Sequence, residues 1–270
     1  MPSGPRFGNR LGWLLLLVLP IVLGGRATAL AAGCLAAMAG TSPTVAPLSL
    51  VAATSGEAEL TFLGHASFLI ESPGGVSIVT DYNGINRPER LPDIVTMNHA
   101  HSTHYTELVD PRIKFVLRGW DTGSGIPHHD LRYGDVRVRN VPTNIRDGGG
   151  TEFGGNSIFV IEVADLCIAH LGHLHHVLTP QHLAMLGQVD VLLAPIDGAY
   201  TMSQDDMLAV VEQIKPPLLV PMHYFAPSVL ARFLARANDR YPVRNAATPS
   251  VVLSRALLPK STEILVLPGY

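Results

Sequence analysis

Short apolar runs, each stopped by glycine, proline, asparagine or aspartate, recur from residue 59 almost to the end of the chain. Runs of this length read as strands when turn residues bound them. Glu59–Leu63 and Ser67–Glu71 flank Gly64-His65, Ser72-Pro73-Gly74-Gly75 makes a hairpin turn, and Val76–Thr80 pairs back and ends at Asp81. Ile94–Met97, bounded upstream by Pro92, is a buried strand, and Ile113–Leu117 is another. Asp135–Val141 alternates valine with arginine, the mark of a half-buried strand. Asn144–Gly150 reads as a flexible loop. Ser157–Val163 and Leu166–Ala169 form a hairpin around Ala164-Asp165.

Thr179-Pro180 opens a helix, with Thr as N-cap and Pro at the first helical position. Val189–Ala194 is a buried strand, Ser203 caps a helix through Ile214, and Pro217–Pro221 is a further strand. A helix near 227–238 and a strand near 263–267 follow. Strands alternating with helices place the chain in the α/β class.

The start of the chain has a different pattern. Arg6 and Arg10 precede an apolar core from Leu11 to Leu23, and small residues follow, including Ala27-Thr28-Ala29. A basic segment, a short apolar core and a small-residue cleavage site describe a secretory signal over residues 1–33. The apolar core is short beside the roughly twenty residues of a membrane span. An uncleaved anchor is the alternative, and Ala31-Ala32-Gly33-Cys34 is a loose lipobox. Each version exports the protein, to the periplasm or to an anchored position facing the exported side. The membrane is then touched only through the N-terminal segment.

Residues 34–56 read as a linker without structure of its own, which leaves 57–270 as the functional domain. Cys34 and Cys167 are the only cysteines. With Cys34 beside the signal and Cys167 inside an apolar run, a disulfide between them is not expected, and Cys167 reads as a small core residue. A net charge of −3, without any basic stripe, gives no electrostatic footing for nucleic acid.

Histidine changes the picture most. His99, His101 and His104 come directly after the Ile94–Met97 strand. In extended chain, positions i and i+2 face the same way, so His99 and His101 can converge, and His104 joins them if the chain turns after Ser102. A second group, His170-Leu171-Gly172-His173-Leu174-His175-His176, leaves the hairpin, and His223 leaves Pro217–Pro221. Imidazole suits zinc, copper, iron and nickel, and strand exits are where α/β folds gather their chemistry. His128-His129 cannot both face one point and read as solvated surface.

The order of these strand-ending histidines resembles the metallo-β-lactamase fold, a four-layer αββα sandwich. Phe62-Leu63-Gly64-His65-Ala66-Ser67-Phe68 and Pro221-Met222-His223-Tyr224 are similar to the branch of ascorbate-phosphate lactonases and related metal-dependent hydrolases. By that resemblance His99 and His101 match the first two metal ligands of an HxHxDH signature, His104 its last histidine and His223 the late ligand. Asp81 matches an orienting acidic residue. Three positions depart from the pattern. Thr103 stands for a metal-binding aspartate, and His173 stands for the bridging aspartate of a His-Leu-Gly-Asp run. The middle histidine, expected around Asn144 to Asp147, is absent, with Asp147 as a substitute.

Two dications about 4 Å apart repel by on the order of 15 kcal/mol at an effective dielectric near 20. Carboxylate ligands normally offset this, and here both are replaced by neutral side chains. One metal ion is therefore expected, zinc first, with manganese or iron as alternatives. It would be held by His99, His101 and His173, or by His104, His173 and His223. His104, His176 and Asp197 are the candidates to handle protons, while His65, His170 and His175 read as supporting groups. The expected activity is hydrolysis of a small-molecule ester, lactone, amide or phosphodiester by a metal-activated water. The rival is a non-catalytic protein of the same fold that binds a metal or small ligand.

Overall fold

A computed structural model describes residues 1–4, 33–35 and 56–269, so most of the expected signal and linker lies outside the described residues. The first sheet contains β1 (Ala58–Gly64), β2 (Ser67–Glu71), β3 (Ser77–Val79), β4 (Ile94–Met97), β5 (Phe115–Arg118) and β13 (Ser250–Leu253), in the order β13-β1-β2-β3-β4-β5. The second contains β6 (Asp130–Tyr133), β7 (Val136–Asp147), β8 (Gly150–Val163), β9 (Leu166–His170), β10 (Val191–Pro195), β11 (Leu218–Met222), β12 (Val243–Asn245) and β14 (Glu263–Val266). Its order is β12-β14-β11-β10-β9-β8-β7-β6. Helices α1 (Pro180–Leu186), α2 (Gln204–Ile214) and α3 (Pro227–Ala237) complete the described elements that position the site.

Alternating side chains bury one face of each sheet against the other. Leu60, Phe68, Ile78 and Ile94 of the first sheet share a core with Val138, Phe159, Ile161, Leu193 and Val220 of the second. Strands β9, β10 and β11 are buried at every position, because helices cover their other face. Leu186 of α1, Met207 and Val210 of α2 and Phe233 of α3 pack there against Val160, Ala169, Leu192 and Leu219. The outer face of the first sheet, with Val79, Val95 and Met97, is covered by loop residues including Tyr82, Ile113 and Trp120. The result is an α/β sandwich, with helices over the second sheet and loops over the outer face of the first among the described residues.

Local signals placed the helices well. Thr179 Oγ1 accepts the His182 N–H at 3.2 Å while His182 Nδ1 accepts the Thr179 N–H at 3.3 Å, a capping box closed by histidine. Ser203 caps α2 through the Asp206 N–H at 3.0 Å. Two expectations need correction. Asn144–Gly150 is not a flexible loop, because β7 and β8 stay paired as far as Asp147 and Gly150, with a register shift between Thr143 and Ile145. And Cys34 forms a disulfide with Cys167. The Cys34 carbonyl also accepts the Gln188 N–H at 2.9 Å, seating residues 33–35 beside the end of α1. Proximity to the signal hid this pairing in the sequence, but a linker of about twenty residues can carry Cys34 tens of ångströms back to the domain.

Candidate metal centre

Six strands end along one edge of the sandwich, and each delivers a polar residue there. His65 follows β1, Asp81 follows β3, and Asn98–His104 follow β4. His173 comes three residues after β9, Asp197 two after β10, and His223 directly after β11. The sheets are tied together at this edge: His223 N–H donates to the His65 carbonyl at 2.7 Å, and Ser157 N–H to the Asn98 carbonyl at 3.1 Å. Fully buried His170 adds a third tie, with Nε2 donating to the Ala66 carbonyl at 2.7 Å.

His65, Asp81 and His223 all adopt left-handed backbone, with φ of 54°, 44° and 58°. Such conformations cost energy outside glycine and persist where surrounding structure imposes them, often at functional sites. Gly172, at φ 61°, has no alternative: a Cβ there would sit 2.3 Å from Asn98 Nδ2 and 2.6 Å from Asn156 Oδ1.

The centre is built around His104. Its Nδ1 lies 2.5 Å from Asp81 Oδ2, with both side chains wholly buried. Asp81 is fixed in turn by the Asn98 N–H, 3.0 Å from Oδ1. Because His104 Nδ1 donates to the carboxylate, Nε2 presents a bare lone pair. It faces His173 Nδ1 at 2.9 Å and His223 Nε2 at 3.1 Å. His223 Nδ1 lies 3.1 Å from Asp197 Oδ1, at ion-pair distance but off line for an ideal hydrogen bond. The N–H groups of Ala199, Tyr200 and Thr201 hold that carboxylate, together with the Thr201 hydroxyl.

These separations fit a metal ion. Metal–nitrogen bonds of about 2.0–2.1 Å in a tetrahedral site give nitrogen–nitrogen edges of about 3.3 Å, slightly wider than those observed. Two of the rings turn their far nitrogens to carboxylates, the usual support behind a ligating histidine. The ligand atoms of His65, His104 and His223 also lie within 4.8 Å of one another, and buried His65 Nε2 has no hydrogen-bond partner.

Burial dominates the electrostatics. Desolvation, reinforced by neighbouring rings, pushes His104 and His173 well below the ordinary histidine value and His65 down to about 3. The same desolvation pushes Asp81 up to about 6. Burial also works against ionising Asp197, but His223, Thr201 and Ala199 outweigh it and hold this carboxyl below the usual range. For His65, His104 and His173 this favours the neutral form that a metal ion requires.

Of the five expected ligands, His104, His173 and His223 have ring nitrogens at close range, while the rings of His99 and His101 stand beside them. The His99 ring centroid is 5.0 Å from that of His173, and the His101 centroid is 6.2 Å from that of His104. Of the proton-handling candidates, Asp197 serves His223, and His104 lies at the centre of the cluster. His176 is tied into its own loop, with Nδ1 at the Val177 carbonyl and Nε2 accepting the Asn144 N–H. The side chain of Asp147 lies outside the described residues. His129 is not solvated surface, because its Nε2 donates to the Arg118 carbonyl at 2.7 Å.

Two residues gain a larger role than the sequence suggested. His65 is close enough to be a fourth ligand. His175 accepts the Arg146 N–H on Nδ1 at 2.9 Å, which leaves a proton on a buried Nε2 that has no partner. Its ring lies 4.8 Å from that of His173.

A cavity of about 400 Å³ adjoins the cluster, lined by His65, Asn83, Ile85, Asn86, Ser102, Thr103, Tyr224 and Phe225. A second cavity of about 440 Å³ lies at the starts of β11 and β14 and has no histidine in its walls.

Comparison with known proteins identifies the family. Residues 59–223 match the family model described as the β-lactamase superfamily domain. A UPF0173 metal-dependent hydrolase of Carboxydothermus hydrogenoformans is 27% identical over 206 residues, covering 67% of this chain and 91% of that protein. One from Methanoculleus marisnigri is 31% identical over 182 residues, covering 61% and 80%. A solved Thermotoga maritima structure, assigned to the Zn-dependent hydrolases of the metallo-β-lactamase superfamily, superposes with a TM-score of 0.58. It is 27% identical and covers 78% of this chain and 98% of its own. With the family model spanning more than half of the sequence, the chain belongs to the metallo-β-lactamase superfamily.

Proposed function

We propose that this protein is an exported hydrolase working with one metal ion, held by His104, His173 and His223. The observation that carries this reading is His104 Nε2, which lies 2.9 Å from His173 Nδ1 and 3.1 Å from His223 Nε2, while the ligand atoms of His65, His104 and His223 lie within 4.8 Å of one another. Relatives named metal-dependent hydrolases support it. A divalent ion such as zinc, manganese or iron bound there would supply Lewis-acid polarisation and acidify water toward neutral pH. Asp81 and Asp197 orient the ligand rings, and the His175 ring packs behind that of His173 at 4.8 Å. The bond broken belongs to an ester, lactone, amide or phosphodiester.

The disulfide supports export, since such bonds persist in oxidising compartments. It also occupies the sulfur that lipidation of Cys34 would need, so a lipid-anchored form and the disulfide form exclude one another. Mass spectrometry of the native protein, with and without reduction, tests this: a lipid adduct on Cys34 would count against the disulfide form.

One observation favours the non-catalytic rival. Four imidazoles, with His65 as the fourth, would close a tetrahedral site and leave no open position. Metal analysis and ester turnover of His65→Ala separate the two readings. Retained metal and retained turnover support three ligands. Turnover that appears only in the variant supports a closed site in the natural chain.

A further inference from the structure

The cavity beside the cluster has walls without a formal charge. None of its eight lining residues is lysine, arginine, aspartate or glutamate. Its contents would meet the cluster directly, because Thr103 and Tyr224 are the chain neighbours of His104 and His223. The His65 ring lies 4.3 Å from that of His223 and 5.0 Å from that of Phe225.

Most of the polar groups in these walls are already used. Asn83 Oδ1 accepts the N–H groups of Ile85 and Asn86, and Asn83 Nδ2 donates to the Thr103 carbonyl. The Thr103 hydroxyl is taken by His101, and the Tyr224 hydroxyl donates to the Gly269 carbonyl. Among the described residues, nothing bonds the Asn86 amide or the Ser102 hydroxyl, and His65 Nε2 is likewise unpartnered. The lining also includes two apolar side chains open to solvent, Ile85 at 83% and Phe225 at 53% exposure.

The scissile group would face the metal ion, but a charged arm held in these walls, away from the ion, would give up water with no lysine or arginine to pair with. Binding a phosphate or carboxylate normally calls on arginine or lysine. A neutral group with a hydrogen-bonding end and an apolar arm loses nothing comparable. We infer that this cavity is the substrate subsite, and that it takes an uncharged ester or lactone with an apolar arm rather than a phosphodiester or carboxylated compound.

The inference rests on the hydrolase reading above and narrows it. In the reaction, the oxygen of water bonds to the carbonyl carbon and the bond from that carbon to the alcohol oxygen breaks. One proton of water ends on the departing alcohol, and the acid leaves as a carboxylate plus a proton.

The test compares two esters of similar size that differ in charge, p-nitrophenyl butyrate and p-nitrophenyl hemisuccinate, with the full-length zinc-loaded protein. The butyrate should be preferred in kcat/KM by on the order of tenfold or more, within the discrimination a pocket of this kind supplies. Ser102→Lys should shift the preference toward the hemisuccinate while zinc content stays the same. Phe225→Ala should raise KM for the butyrate more than for p-nitrophenyl acetate. Equal use of both esters, or a preference for the hemisuccinate or for bis(p-nitrophenyl) phosphate, overturns the inference.

If neither the esters nor bis(p-nitrophenyl) phosphate turns over, the test of the hydrolase reading has failed separately, and the subsite is decided by saturation-transfer NMR with butyramide and succinamate. Stronger contact with butyramide, weakened in Phe225→Ala, sustains the inference. Equal or stronger contact with succinamate overturns it.

Discussion

In the deep half of the cluster, His104 and His223 each turn one nitrogen toward a buried carboxylate, Asp81 or Asp197. In the shallow half, His99 turns its Nδ1 to the Gly155 carbonyl at 2.7 Å, and exposed His101 pairs with the Thr103 hydroxyl at 2.9 Å. Both halves have rings of fixed orientation. Only the deep half has negative charge behind its rings to raise their basicity and offset a cation. On the proposed reading, the placement of carboxylates, more than the number of histidines, sets where a metal ion binds. Thr103 and His173 stand where the family pattern has aspartates, so two ions here would face nearly their full mutual repulsion.

The sharpest way to break this comparison is to remove a ring from each half. His104→Ala or His223→Ala should take bound metal from about one ion per chain to background, measured by plasma mass spectrometry on protein purified without added metal. His99→Ala with His101→Ala should keep most of it. Equal loss from both halves would show that the shallow pair binds as well.

A control separates ligation from general stability. Cys34→Ser removes a bond closing a loop of 133 residues and should cost about 2–5 kcal/mol in chemical denaturation, with metal affinity unchanged. A fall in affinity as well would mean that the clamp also shapes the centre.

Smaller effects test the carboxylates. Asp81→Asn and Asp197→Asn should each weaken metal binding by roughly 10–100-fold in a chelator competition, whereas Thr103→Ala should leave it unchanged. An unchanged affinity in the two Asn variants would remove the physical basis of the comparison. Last, Thr103→Asp combined with His173→Asp should move the metal count from about one toward two, with the shallow half now occupied. A count still at one would mean that the missing middle histidine, and not charge, limits the second site.

The local part of this design was open to reading from the residues. Strand runs such as Ile94–Met97, the Thr179 and Ser203 caps and the histidines after strand ends all depend on neighbours within a few positions. Apolar periodicity and capping chemistry act over that range, so the sequence alone determines them. The family resemblance added the pairing of Asp81 with the ligand rings. What depends on distant residues stayed hidden. The partner of Cys34 is 133 positions away, the extended β7–β8 hairpin is held by the cross-strand ladder, and β6, β12 and β13 have no strong pattern of their own. Likewise, only tertiary structure decided that His65 joins His104 and His223, and that His175 keeps an unpaired proton. Those facts arise where two sheets bring the ends of separate strands to one point, a geometry set by packing across the whole domain.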